Sequence, residues 1–443
     1  MHQPFWQRIF LVVLIFLLFA VCFSGCTRPI ERQSLRPLRQ TVGLADTPIA
    51  AVHNQGDKLW LCTRNLRPDE RSGHYLISGY MQSLHFYSVA GEPQHLGTFD
   101  ASDYCMLVDY DIISEHELIY ILLTNSTWDL YKIIVVGFDG TLLATHIFDM
   151  TSYNYFMSGL KIVFSDGEKV FVSGPAPSGQ SGCIETFNWQ TNQTQKMETP
   201  FFVTDVAVAE HSVVACGWNQ KLDSEIIRMA QDGESRADLP MGLFDSILFG
   251  EPKYFLSVFD FQGNTTHELL KNETREIQNV TISGSDLYIL SHDFSSSDET
   301  QSIKIYRLEN FSTSKRKKLS RLPAITLDRQ SRKDAEKQKT LDGWVCGEMI
   351  SLESGTIMIP YVKTEQIFDE YNQVSAIGLY AIDSSDFTAT DYSEQLSALV
   401  TTCNISIAPD GTPLCYYYSN QELSAANDIL YYCNLTEYDR PAA

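Results

Sequence analysis

The feature that most constrains this chain is a phrase it repeats. A turn of Gly, Asp, Glu or Asn leads into a short apolar run, and a second apolar run, often rich in tyrosine, follows. Clear copies are Leu59-Trp60-Leu61 with Leu84-His85-Phe86-Tyr87, and Leu118-Ile119-Tyr120-Ile121-Leu122 with Leu130-Tyr131-Lys132-Ile133-Ile134. Further copies open at Val170, Val213, Leu287, Ile357 and Leu414, and a less regular one covers Asp245 to Leu270. Most of these eight units begin 40 to 60 residues after the previous one. Runs this short, β-branched and aromatic, bounded by pairs such as Asp139-Gly140, Asp166-Gly167, Asp232-Gly233 and Asp410-Gly411, read as strands in hairpins whose turns call for positive φ.

No long segment has helical periodicity. A short ribbon that is apolar on both faces must be stacked between two neighbours, and strands recurring at this period indicate four-stranded sheets set around an axis. The expected fold is all-β: a single β-propeller of seven to eight four-stranded blades over residues 51–440. Seven results if the 245–270 unit is the outer part of its neighbour.

The N-terminus carries an address. Met1 to Arg8 holds one arginine and no acid, Ile9 to Phe23 is unbroken apolar chain, and Ser24, Gly25 and Cys26 follow. This is the pattern of a secretory signal over residues 1–25. As a helix the apolar run would span roughly 22 Å, short of a hydrocarbon core of about 30 Å, so it is not expected to persist as a membrane anchor. Phe23-Ser24-Gly25-Cys26 resembles the lipobox of bacterial lipoproteins, with Phe23 in place of the usual leucine. The resemblance implies that Cys26 is alkylated by a diacylglycerol and becomes the mature N-terminus. That would tie the protein to the outer face of a bacterial cell membrane. Residues 26–50, with Pro29, Pro37, Pro48 and four arginines but no periodicity, read as an extended tether.

Charge narrows the partners. The chain carries −22, and because residues 1–40 carry +4, the remainder carries −26. A body this acidic does not bind nucleic acid through its general field. One stretch runs against it: residues 312–340 hold ten basic and three acidic side chains, including Lys315, Arg316, Lys317, Lys318, Arg321, Arg332 and Lys333. This reads as a basic inserted loop that would grip a cell-surface protein, an anionic wall polymer or the protein's own acidic face. A second candidate surface is aromatic: Tyr416 to Tyr418, Tyr431, Tyr432, Trp128, Trp218 and Trp344. Aromatic side chains stack on sugars and anchor protein contacts when exposed, although within strands they usually pack.

The remaining chemistry is sparse. Cys62, Cys216, Cys415 and Cys433 end or sit inside apolar runs, where a thiol behaves as a small hydrophobe, and no Cys-x-x-Cys pair suggests zinc or redox work. Cys403–Cys415 is the disulfide pair to test first. No two histidines have ligand spacing. No nucleophile elbow, phosphate loop or dinucleotide fingerprint occurs, and no cofactor or metal is expected. Propeller enzymes gather residues from several blades, so a carbohydrate hydrolase or lyase stays open as the second reading, with acids such as Asp103, Asp109 or Asp205 converging on the axis. The preferred reading is a binding or scaffold protein.

In its blade rhythm the chain resembles the extracytoplasmic β-propeller lipoproteins of Gram-positive bacteria, and loosely the TolB-like and quinoprotein-like propellers. The tryptophan dockings of true quinoproteins are missing, so the resemblance implies a fold and a location but no quinone and no catalytic residues.

Overall fold

The computed structural model describes residues 30–34, 38–42, 49–55, 58–66, 81–88, 94–100, 106–113, 116–125, 130–137, 139, 141–149, 160–175, 181–209, 212–219, 253–260, 264–295, 300–331, 340–347, 349–352, 354–367, 373–398, 402–407, 413–419 and 429–434. Side chains are described for Ile30 and within residues 108–393.

Two strands, β1 (Glu31–Ser34) and β2 (Leu38–Val42), precede the first blade. Blade 1 is β3 (Ile49–Gln55), β4 (Lys58–Leu66), β5 (Met81–Ser88) and β6 (Gln94–Asp100). Blade 2 is β7 (Met106–Ile113), β8 (Leu118–Thr124), β9 (Leu130–Gly137) and β10 (Leu142–Asp149). Blade 3 is β11 (Lys161–Ser165), β12 (Lys169–Pro175), β13 (Gly182–Asn188) and β14 (Gln193–Thr199). Blade 4 is β15 (Phe202–Ala209), β16 (Ser212–Asn219), β17 (Lys253–Asp260) and β18 (Thr265–Glu273). Blade 5 is β19 (Glu276–Ser283), β20 (Asp286–Ser295), β21 (Thr300–Leu308) and β22 (Ala324–Ser331). Blade 6 has an interrupted inner strand, β23 (Thr340–Cys346) and β24 (Ile350–Ser351), then β25 (Thr356–Ile367), β26 (Gln373–Asp383) and β27 (Thr388–Ala398). Blade 7 is β28 (Thr402–Ile407), β29 (Pro413–Ser419) and β30 (Ile429–Asn434), completed on its outside by β2, which pairs antiparallel with β30.

Blades 1 to 5 are antiparallel meanders in chain order from axis to rim; blade 6 adds β1 in parallel outside β27, and blade 7 takes β2 as its outer strand. The fold is a seven-bladed β-propeller. The irregular unit at 245–270 supplies the two outer strands of blade 4: β16 takes β17 as its next neighbour.

Alternation along single strands shows why the ring holds. On β16, Val214 and Cys216 pack toward blade 5 with Leu287 and Ile289, while Val213 and Ala215 pack toward blade 3 with Phe171 and Ile184. On β20 the same switch occurs: Leu287 and Ile289 face blade 4, whereas Tyr288 and Leu290 face Ile357, Ile359 and Tyr380 of blade 6. Each fully buried aliphatic side chain of this kind contributes about 1.5–3 kcal/mol. Two buried tyrosines add polar ties between blades. Tyr120 Oη donates to the Asp166 carbonyl at 2.8 Å, and Tyr288 Oη reaches the Ser384 carbonyl at 3.5 Å.

Three expectations change. Residues 26–50 are not simply a tether, since Ile30 packs on the blade 5–6 core, β1 adds in parallel to β27, and β2 closes blade 7. These strands bond through backbone along an outer edge, which requires no hydrophobic alternation. The basic stretch 312–340 is only in part an excursion. The connection between β21 and β22 ends at Pro323, and Ala324–Ser331 is the outer strand of blade 5, turning Ile325 and Leu327 into the core. Its charged residues hid that alternation. Finally, Gly167 is absent from the positive-φ positions, which among described glycines are Gly284 and Gly355. A Cβ at Gly167 would lie 2.3 Å from the ring of His116, so the glycine there provides room. The turn itself is made by Asp166 Oδ1, which accepts the N–H groups of Glu168 and Lys169, each at 2.7 Å.

Candidate functional site in the axial channel

Five inner strands converge on one cavity of about 540 Å³. It is lined by Asp109 to Asp111 on β7, Lys161 to Ser165 on β11, Asp205 to Val208 on β15, Asn279 to Ile282 on β19, and Met349 to Ser351 at β24. The lining is mostly polar, unlike the interfaces between blades.

A recurrent irregularity builds this lining. The inner strands slip register at the same point, between Ile49 and Ala51, Leu107 and Asp109, Ile162 and Phe164, Val203 and Asp205, and Ile277 and Asn279. A β-bulge inserts one residue and re-aims the side chains that follow. Asp109, Asp205 and Asn279 thus occupy corresponding positions on blades 2, 4 and 5.

The acids are held by the next blade. Asp109 Oδ2 accepts the Ile162 N–H of blade 3 at 2.9 Å, and Oδ1 accepts the Tyr110 N–H at 2.9 Å. Asp205 Oδ2 accepts the Val280 N–H of blade 5 at 2.8 Å, and Asn279 bonds the same carboxylate. Ser165 Oγ donates to Asp111 Oδ2, a second tie between blades 2 and 3. Burial pushes the carboxyl groups of Asp109 and Asp205 up to about 6, against the opposing pull of these N–H donors and of the nearby Lys161 ammonium. Among the described residues no cluster of three or more His, Cys, Asp or Glu side chains is placed to hold a metal ion.

No family model matches this chain, and no curated protein matches it either. Solved structures of similar outline include the β-propeller domain of the Trilobed protease from Pyrococcus furiosus, at 10% identity and TM-score 0.46, covering 90% of this chain and 98% of that one. Another is an acylaminoacyl peptidase from Pyrococcus horikoshii, at 7% identity and TM-score 0.47, covering 89% of this chain and 53% of that one. The chain therefore spans about half the length of that peptidase. Likenesses at this level carry no functional argument, and the propeller stands on its own seven sheets.

The sequence-based candidates divide between the axis and the rim. Asp109 and Asp205 do converge on the axis, while Asp103 lies outside the described residues. Lys315, Arg316, Lys317, Lys318 and Arg321 are exposed on the outer connection of blade 5, away from the cavity; Arg332, Lys333 and Cys26 lie outside the described residues. Trp218 is a strand residue packed on Phe202 at 5.0 Å, and the backbone register sets Tyr416 opposite Tyr432 and Tyr417 opposite Tyr431. Lys161, Ser165 and Asn279 were not anticipated. A signal for Asn279 was present in Val108-Asp109-Tyr110, Thr204-Asp205-Val206 and Gln278-Asn279-Val280, where a polar residue interrupts an apolar strand at matching points of three blades.

Cys183 and Cys216 are free, buried thiols, and burial pushes them up to about 11 and about 12 respectively, which keeps them protonated and unreactive.

Proposed function

We propose that this protein is a lipid-anchored, extracytoplasmic binding or scaffold protein of a bacterial cell, presenting a propeller whose axial cavity receives a polar segment of a peptide or glycan. The observation that carries the binding reading is the engagement of the cavity's three acids. Asp109 and Asp205 accept backbone N–H groups of a neighbouring blade and Asp111 accepts the Ser165 hydroxyl, so each holds the ring together. A glycosidase needs a pair of carboxyls directed at a scissile bond, one as acid and one as base or nucleophile. Here Lys161 and the bulged backbone line the cavity as the groups that recognise a ligand. The anchor is supported by the Ser24-Gly25-Cys26 sequence behind an apolar run.

Glycan and peptide arrays probed with the wild-type protein and with Lys161→Ala test the reading. Retention of a defined ligand by the first and at least tenfold weaker retention by the second, at unchanged melting temperature, is the expected result. Turnover of a glycan that disappears in Asp109→Asn would replace binding with hydrolysis. Mass spectrometry of the mature N-terminus tests the anchor separately.

A further inference from the structure

Strand direction sorts the connections of this propeller onto two faces. In blades 1 to 6 the links from first to second strand and from third to fourth strand share one face, because successive strands are antiparallel. The basic segment Lys315–Lys318 belongs to the third-to-fourth connection of blade 5, between β21 and β22. The chain enters the ring at the same face. β27 runs away from that face and β1 runs parallel to it, with Glu31 opposite Thr390, so the start of β1 lies at the face, on the adjacent blade 6. Ile30 is already packed on the core between blades 5 and 6. Four residues from Cys26 to Ile30 reach at most about 14 Å.

The basic connection is a fixed strap. Two short 3-10 turns, Phe311–Thr313 and Leu319–Arg321, bury Phe311 and Leu319 in the core shared by blades 4 and 5. The Lys317 N–H donates to the Leu269 carbonyl of blade 4 at 2.9 Å, and the Leu319 N–H donates to Glu273 Oε1 at 3.1 Å. The side chains of Lys315, Arg316, Lys317, Lys318 and Arg321 are left exposed. Arg316 approaches Glu268 only to 3.9 Å and is 54% exposed, so that contact neutralises little of the charge.

We propose that this strap is a contact surface for anionic lipid headgroups, and that the anchored propeller stands on the membrane by the blade 5 rim of the face from which its N-terminus emerges. The proposal rests on the reading of Cys26 as lipidated. Other turns on that face carry acids, such as Glu117, Glu168, Asp260, Asp383 and Asp386, on blades 2, 3, 4 and 6. An anionic surface repels them, so the ring tilts onto the basic edge at blade 5 and does not lie flat. Basic residues near such a surface are each worth about a fivefold change in partitioning, an effect that fades within a Debye length. The short reach of the N-terminal segment holds this face next to the bilayer, and the tilt brings the strap itself within that range.

The test is amine-reactive footprinting of the lipidated protein on vesicles of phosphatidylcholine, with and without 30% phosphatidylglycerol (roughly the anionic fraction that produces a strong surface potential). Lys315, Lys317 and Lys318 should be protected at least about fivefold on the anionic vesicles, while Lys196 on blade 3 should not change. High salt should remove the protection without releasing the protein. The Lys315→Glu/Lys317→Glu/Lys318→Glu variant should remain vesicle-bound yet label a reporter lysine introduced at Ser312 equally on both surfaces. A lipidated protein whose strap lysines label equally on both vesicles overturns this proposal alone, as does protection produced only by an added anionic wall polymer. An unmodified Cys26 overturns the anchor reading and the proposal with it.

Discussion

Replacing Asp205 by Asn should make the protein more stable at neutral pH and remove part of its acid dependence. Asp205 is 6% exposed and its carboxyl is pushed from 3.8 up to about 6 by burial. A shift near two units means that the ionised form costs about 3 kcal/mol more in the folded chain than in the unfolded one. Between pH 4 and 6 the folded chain keeps a proton that the unfolded chain releases. The added stability is therefore complete below the ordinary carboxyl range and is lost as pH rises through about 6. From pH 5 to pH 7.5 the loss attributable to this group is on the order of 1 kcal/mol. Asparagine keeps an oxygen where the Val280 N–H donates at 2.8 Å but carries no charge to desolvate. It gives up a charge-assisted bond for a neutral one of about half the strength, which leaves a net gain of about 1–2 kcal/mol at pH 7.5. Urea unfolding of both proteins at pH 5, 6 and 7.5 measures the difference. Curves that stay parallel across pH would refute the assignment of a raised carboxyl, and an Asn variant weaker than wild type at pH 7.5 would refute the balance of terms.

Three other perturbations probe the ring. Gly217→Ala would place a Cβ 1.9 Å from the Phe202 carbonyl oxygen, so it should cost about 3 kcal/mol or more, visible as a lowered melting temperature. Phe311→Ala should cost about 3–5 kcal/mol and speed tryptic cleavage at Lys315–Lys318 relative to wild type; unchanged cleavage would show that the strap is not held by that side chain. In blade 7 the register sets Cys415 opposite Cys433 and Cys403 opposite Tyr417, so any bridge in that sheet should join Cys415 to Cys433. Peptide mapping without reductant checks this, and a Cys403–Cys415 peptide would contradict the register.

The strands that could be read from the sequence are the two in the middle of each blade. β8 is buried along its whole length because both its faces meet other blades, and such strands must be written in Leu, Ile, Val and Tyr. Outer strands such as β14, exposed at five of its seven positions, have no reason to be apolar and looked like loops. Inner strands such as β7 and β15 are broken by the acids that line the axis, which disguised them as strands and as a site at once. Asp109 and Asp205 were noticed as acids, but their partners Ile162 and Val280 contribute only a backbone N–H, and no residue type announces that role. The Ser312–Thr340 stretch misled for a related reason: its ten cations outweighed apolar residues such as Leu319, Ile325 and Leu327 that, with Phe311 just before it, fasten it.

The union of β2 with β30 has a consequence for how the protein is made. β2 precedes all seven blades in the chain, yet it must wait for residues 429–434 before it finds its neighbour. Until then six sheets can assemble in order of synthesis while the seventh stays open, with two raw edges facing solvent. Chaperones or proteases would meet the molecule in that unfinished state, and its lifetime sets how much of the folding yield survives.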